Sequence, residues 1–198
     1  MRLFIGIEIA PAVAAATLEL IVQLQAASAR LAPRSRITWV TPDRLHVTVR
    51  FIGHVDDSRV DEIHDVLALP FSVDPFDLTI AGVGTFPPNG SPRVVWAGLG
   101  RGRDQLVALE ATVSARLADA GVPREERPYK PHLTLARVRD AAGLRPAPLV
   151  GNLREVALGT TSVDAITLFE SRLSPKGPAY VALARTPLSG AERRAGGA

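Results

Sequence analysis

The chain has 198 residues, 46% of them hydrophobic and 22% charged, with a formal net charge of +3. That supports a buried core in one domain or two interlocked lobes, and excludes a disordered or fibrous chain. The absence of cysteine removes disulfides, thiolate metal sites and cysteine nucleophiles together, while 21 Arg against 2 Lys suits phosphate contact without naming a partner.

In chain order, residues 2–9 read as a strand; Glu8 and Pro11 interrupt the short apolar run, which argues against a signal segment. Pro11 opens a helix to about Arg30, with Val13, Leu18, Leu20, Ile21 and Leu24 on its apolar face. Strands are expected over 37–40 and 45–53, separated by the turn residues Thr41, Pro42 and Asp43. Ser58 is the expected N-cap of a helix through Leu67. Residues 70–86 read as extended, 93–99 as the returning strand, and 104–120 as an amphipathic helix ended by Gly121. A strand follows at 132–138, then irregular chain over 140–158, then strands at 162–173 and 179–186. The expected organisation is a single α+β domain over 1–188 and a disordered tail over 189–198. No uninterrupted apolar run has the length of a membrane span, so a cytoplasmic protein without membrane attachment is expected.

Two of the four histidines open the same pattern: His46-Val47-Thr48-Val49 and His132-Leu133-Thr134-Leu135. Residues i and i+2 of a strand share a face. That puts His46 and Thr48 on one side, with Arg50, and Val47, Val49 and Phe51 on the packed side. The second motif repeats this, with His132 and Thr134 opposite Leu133 and Leu135. Two imidazoles near neutral pKa and two hydroxyl donors in one cleft suit the opening of a cyclic phosphodiester. One histidine takes a proton from water, the other protonates the departing oxygen, and the hydroxyls hold the phosphoryl oxygens. His-x-Thr is not ligand spacing and neither motif carries a carboxylate at i+2, so neither metal nor cofactor is expected. His54 and His64 read as surface residues. Tyr129, just before the second motif, is placed to line the groove and stack on a base.

At these residues the chain resembles the two-histidine phosphoesterases, and within them the RNA 2′,3′-cyclic phosphodiesterases historically called 2′–5′ RNA ligases. The segments RLFIGIEI, WVTPDRLHVTVRFIGHVDD, GVGTFPPNGSPRVVWAGL, RPYKPHLTLARV and LFESRLSPKGPAYVAL carry the likeness through to about Leu188. Val49 and Ile52 stand where leucine is common, a conservative departure. The resemblance implies two pseudo-symmetric lobes, each an antiparallel sheet with helices outside, flanking a central groove. It implies hydrolysis of RNA or nucleotide 2′,3′-cyclic phosphate to the 2′-phosphate, reversible toward 2′–5′ ligation. His46 would be general acid and His132 general base. It also gives a functional role to Arg137, which strand parity places on the wrong face. Partners would be RNA ends or small cyclic nucleotides, and the protein a monomer. Two other readings remain open: a related enzyme on another cyclic phosphate or a 2′–5′ linkage, and a non-catalytic RNA-end-binding protein.

Overall fold

The first strand, β1 (Arg2–Glu8), has five consecutive buried residues, Leu3 to Ile7, so both its faces are covered and it lies inside a sheet. The computed structural model, which describes residues 1–174 and 177–190, continues with α1 (Pro11–Leu31), β2 (Arg36–Trp39), β3 (His46–His54) and α2 (Asp57–Ala68). Then come β4 (Phe76–Phe86), β5 (Val94–Leu99), α3 (Arg103–Asp119) and β6 (Leu133–Asp140). The last elements are α4 (Pro146–Val150), β7 (Ala157–Val163), β8 (Ala165–Ser174) and β9 (Gly177–Pro187).

Among the described residues these strands form one nine-stranded sheet in the order β7-β4-β5-β6-β3-β1-β8-β9, with β2 also on β6. Every strand pairing is antiparallel. The sheet is two half-sheets joined at one place: β3 meets β6 only at the pair Val47–Leu133. Helices α2 and α3 back the half made of β3, β1, β8 and β9, while α1 and α4 back the other. This is the expected α+β class with two lobes. Leu106, Leu109, Val113 and Leu117, at three- and four-residue steps on α3, are all buried, as the apolar periodicity requires. Helix α1 is long and apolar enough to cross a membrane by length and composition alone; here Val13, Leu20, Ile21 and Leu24 are buried in the core.

Three boundaries differ from expectation. The segment over 140–158 holds α4 and a short 3₁₀ turn, Gly151–Glu155, and β7 starts at Ala157. Strand β7 is separate from β8, the break falling at Asp164. It ends the sheet order and buries only Leu158, Thr161 and Val163, so its sequence has little apolar signal to read. Helix α2 begins at Asp57, one residue before the expected cap. At the start of the expected tail, Ser189 N–H donates to Phe71 O and Gly190 N–H to Val73 O. Residues 191–198 lie outside the described residues.

Val47 and Leu133 are both fully buried. Leu133→Ala removes core volume at the junction of the half-sheets and is expected to lower unfolding free energy by about 3 kcal/mol, measured by urea denaturation.

Candidate active site

Antiparallel pairing at Val47–Leu133 fixes what surrounds it. Counting one residue outward puts His46 across from Thr134, and Thr48 across from His132, at the roughly 5 Å spacing of facing strand residues. The two motifs are thus related by a local twofold axis through the Val47–Leu133 pair. Each imidazole faces the other motif's hydroxyl. Thr48 and Thr134 are half-buried, and neither hydroxyl is engaged by another group among the described residues.

The backbone also fixes the ring nitrogens. His46 Nδ1 lies 2.7 Å from Arg44 O, and His132 Nδ1 lies 2.6 Å from Lys130 O. A carbonyl only accepts, so each Nδ1 carries the hydrogen and donates it. In the neutral ring Nε2 is then the unprotonated nitrogen, available as a base, and as an acid once protonated.

Each motif strand bulges three residues after its histidine. In β3, Gly6 faces Thr48 but Ile5 faces Arg50, leaving Val49 extra; in β6, Trp96 faces Thr134 but Val95 faces Ala136, leaving Leu135 extra. A bulge adds one residue to the strand and exchanges the faces beyond it. Arg137 therefore joins His132 and Thr134 on the groove face, while Ala136 is fully buried. This removes the parity conflict at Arg137.

The same geometry corrects two expectations on β3. Phe51, expected in the core, moves to the groove face and is 52% exposed. Arg50, expected to face the groove, turns inward and is 6% exposed. Its Nη2 donates to Pro123 O at 2.5 Å, and its Nη1 lies 4.0 Å from a Glu125 carboxylate oxygen. Tyr129 acts from the other side of the same loop, donating its hydroxyl to Thr48 O at 2.7 Å. Both residues line a cleft of about 830 Å³ that also includes Thr48, Phe51, Lys130 and His132. Their polar ends are committed to holding the loop over 123–130 against β3.

Comparison with known proteins agrees with this arrangement. The family model described as the 2′-5′ RNA ligase superfamily matches residues 15–174. The chain belongs to the 2′-5′ RNA ligase superfamily. It is 38% identical over 147 residues to an RNA 2′,3′-cyclic phosphodiesterase of Aeropyrum pernix, covering 73% of this chain and 82% of that one. It is 31% identical over 180 residues to the protein of that name from Archaeoglobus fulgidus, covering 91% and 96%. Among solved structures, one from Thermus thermophilus superposes with a TM-score of 0.71 at 28% identity, covering 96% of this chain and all of that one. Escherichia coli LigT complexed with 3′-AMP gives 0.67 at 26%, covering 95% and 98%.

In this member of the superfamily the two histidines differ in surroundings. His46 is packed by Phe4, with ring centroids 4.8 Å apart, by Tyr180 edge-on at 5.1 Å, and by Phe169 at 6.3 Å. His132 meets Phe86 edge-on at 5.2 Å and opens on the 830 Å³ cleft. Burial pushes both imidazole pKa values below the ordinary 6.5, partly opposed by the backbone hydrogen bonds, and the Arg137 guanidinium pushes both down further. The charge of His132 adds a small push on His46. Both shifts favour the neutral ring in the free protein. Tyr129 is pushed the other way, above its usual phenolic range, by burial and by Glu110, so its hydroxyl keeps the proton it donates. No group of three or more His, Asp or Glu able to hold a metal ion occurs among the described residues. His54 and His64 are exposed, as expected.

Phe4, Phe86, Trp96, Phe169 and Tyr180 were not singled out by the sequence. Their signal is cross-strand register: Phe4 faces Phe51 and Trp96 faces Thr134, which no single strand reveals.

Lowered histidine pKa values mean the unfolded chain takes up protons first as pH falls. Stability is therefore held above about pH 6.5 and lost below it, toward the lowered folded values. Urea denaturation at a series of pH values between neutral and mildly acidic checks this. Replacing Arg137 by Gln removes a neighbouring positive charge, so both imidazole pKa values should rise in an NMR titration. Arg50→Met should cost about 2 kcal/mol by removing a charged hydrogen bond to Pro123 O, and should speed tryptic cleavage after exposed Arg124.

Proposed function

We propose that the protein hydrolyses 2′,3′-cyclic phosphate on RNA ends or nucleotides to the 2′-phosphate, without a metal ion, through His46 and His132. The observation that carries this reading is the twofold arrangement at Val47–Leu133, with each imidazole across from the other motif's threonine and each Nδ1 tied to a backbone carbonyl. In-line displacement at phosphorus needs a base on one side and an acid on the other, and a local twofold axis supplies two equivalent groups on opposite sides of one point.

His132, open to the larger cleft, accepts a proton from water as its oxygen bonds to phosphorus. The P–O3′ bond breaks, and His46, protonated at Nε2, delivers its proton to O3′. Thr48 and Thr134 donate to the non-bridging oxygens, and Arg137 offsets the charge that accumulates on them. The substrate supplies what the free site lacks. Burial favours the neutral imidazole in the empty groove, and a negative phosphate raises the pKa of the enclosed His46 so that it carries a proton when the bond breaks. With an RNA 5′-hydroxyl in place of water, the same two groups join a cyclic end through a 2′–5′ bond, O3′ again leaving with the proton from His46.

The groove face beside His46 suits the nucleoside. Phe51 is exposed on it, with the Phe4 ring centroid 6.1 Å away, and an aromatic face stacks on any base. The reading carries with it a cytoplasmic monomer, and α1 buries its apolar stripe against β7 and α4 of its own chain.

The test is incubation with the four nucleoside 2′,3′-cyclic phosphates in EDTA, with product regiochemistry read by phosphorus NMR. The 2′-phosphate is the expected product. His46→Ala and His132→Ala should each lower kcat by about 100-fold or more, the usual worth of a positioned acid or base. Near-normal turnover by either variant would overturn the paired-histidine mechanism. On the free enzyme, the acid limb of kcat/KM should fall below pH 6.5, because both imidazole pKa values are lowered.

A further inference from the structure

The groove face of the second half-sheet continues away from the histidines. Register aligns Gly84 on β4, Trp96 on β5 and Thr134 on β6 side by side on that face. Neighbouring strands lie about 4.8 Å apart, so Gly84 is roughly 10 Å from Thr134. Beyond Gly84 lies a second cleft of about 560 Å³, between this face and the segment carrying α4. It is lined by Gly84 and Trp96 from the sheet, by Asn89 at the β4–β5 turn, and by Arg145 and Arg154 from the segment carrying α4.

Three features make this cleft specific. First, the Trp96 indole lies across Gly84, where a Cβ would overlap its six-membered ring, so glycine is what lets the ring lie over β4. Trp96 is half-buried, and its buried Nε1 has no hydrogen-bond partner, so the ring is placed by packing rather than by a polar anchor. Second, the charge is of one sign. Arg145 and Arg154 are exposed and form no ion pair among the described residues, and no carboxylate lines the cleft. The cleft at His132, by contrast, includes Glu110 and Glu125. Third, the cleft is connected to the catalytic row: Trp96 packs on Phe86 at 5.1 Å, and Phe86 meets His132 edge-on at 5.2 Å.

An aromatic ring and two exposed guanidinium forks lining one cleft, one or two nucleotide lengths from the reacting phosphate, match one ligand chemistry. We infer that this cleft is a second nucleotide subsite. It holds the RNA strand upstream of the cyclic end, a base against Trp96 and a phosphodiester on Arg145 and Arg154. The inference rests on the cyclic phosphodiesterase reading and adds to it a preference for oligonucleotides over mononucleotides.

The test compares cytidine 2′,3′-cyclic phosphate with a tetranucleotide ending in the same group. In the wild type the tetranucleotide should have the higher kcat/KM. In the double variant Arg145→Ala/Arg154→Ala that advantage should be lost, KM for the tetranucleotide rising roughly tenfold, the scale of a lost charge-assisted contact. Turnover of the mononucleotide should stay unchanged. Gly84→Ala, which pushes the indole out of place, should act the same way, and the arginine variants carry the test alone if it fails to fold. In a Trp39→Phe background, the tetranucleotide but not the mononucleotide should quench the remaining tryptophan fluorescence. Unchanged tetranucleotide kinetics in the arginine variant overturns the subsite, as does equal loss on both substrates. Loss of joining to a 5′-hydroxyl RNA with hydrolysis intact overturns the upstream assignment. If the wild type hydrolyses neither substrate, it is the phosphodiesterase reading that fails. The subsite is then judged by fluorescence anisotropy with a 3′-hydroxyl tetranucleotide, where binding equal in wild type and arginine variant overturns it.

Discussion

One antiparallel pair, Val47 with Leu133, carries the architecture of this protein. It is the place where β3 meets β6, and so where two half-sheets become one sheet. Both side chains are fully buried, and their register decides which groups face each other across the groove. A slip of one residue in either strand would turn its histidine toward the core and expose the aliphatic residues behind it. The hydrophobic requirement at the junction therefore also fixes the catalytic geometry. No separate device is needed to align two imidazoles that lie far apart in the sequence.

The bulges at Val49 and Leu135 are the second constraint. They occur at equivalent places in the two motifs, and each brings the fifth residue after histidine onto the groove face. The backbone is symmetric there, but the side chains are not. One half presents Phe51 and the other Arg137. The first half thereby gains an aromatic wall with Phe4, Phe169 and Tyr180 around His46; the second gains a positive charge beside its imidazole. Repeated backbone with divergent side chains gives one half an exposed aromatic surface and the other an exposed guanidinium.

Electrostatics and loop anchoring follow from the same placement. Burial and Arg137 together push both imidazole pKa values below the ordinary 6.5. The loop that carries Lys130, whose carbonyl orients His132, is itself clamped by Arg50 and Tyr129. Tyr129 reaches the carbonyl of Thr48 directly. Each motif is in this way held by backbone contacts from the other half of the molecule.

Much of this was readable along the chain. Period-two alternation located β3 and β6, helical spacing located α1 and α3, and the repeated His-x-Thr pattern named the four central site residues. These are local properties: a strand's faces and a helix's stripe are set by covalent geometry and side-chain type. What lay beyond reach depends on a partner strand. A bulge is a mismatch between two strands, so neither VTVRF nor LTLAR reveals it alone. Counting by twos therefore sent Phe51 inward, Arg50 outward and Arg137 away from the groove. Strand β7 escaped because an edge strand needs few apolar residues. The sequence by itself determined that two His-x-Thr strands each carry an imidazole and a hydroxyl on one face. Only the tertiary structure decided which of their neighbours share the groove, because that follows from the register between strands.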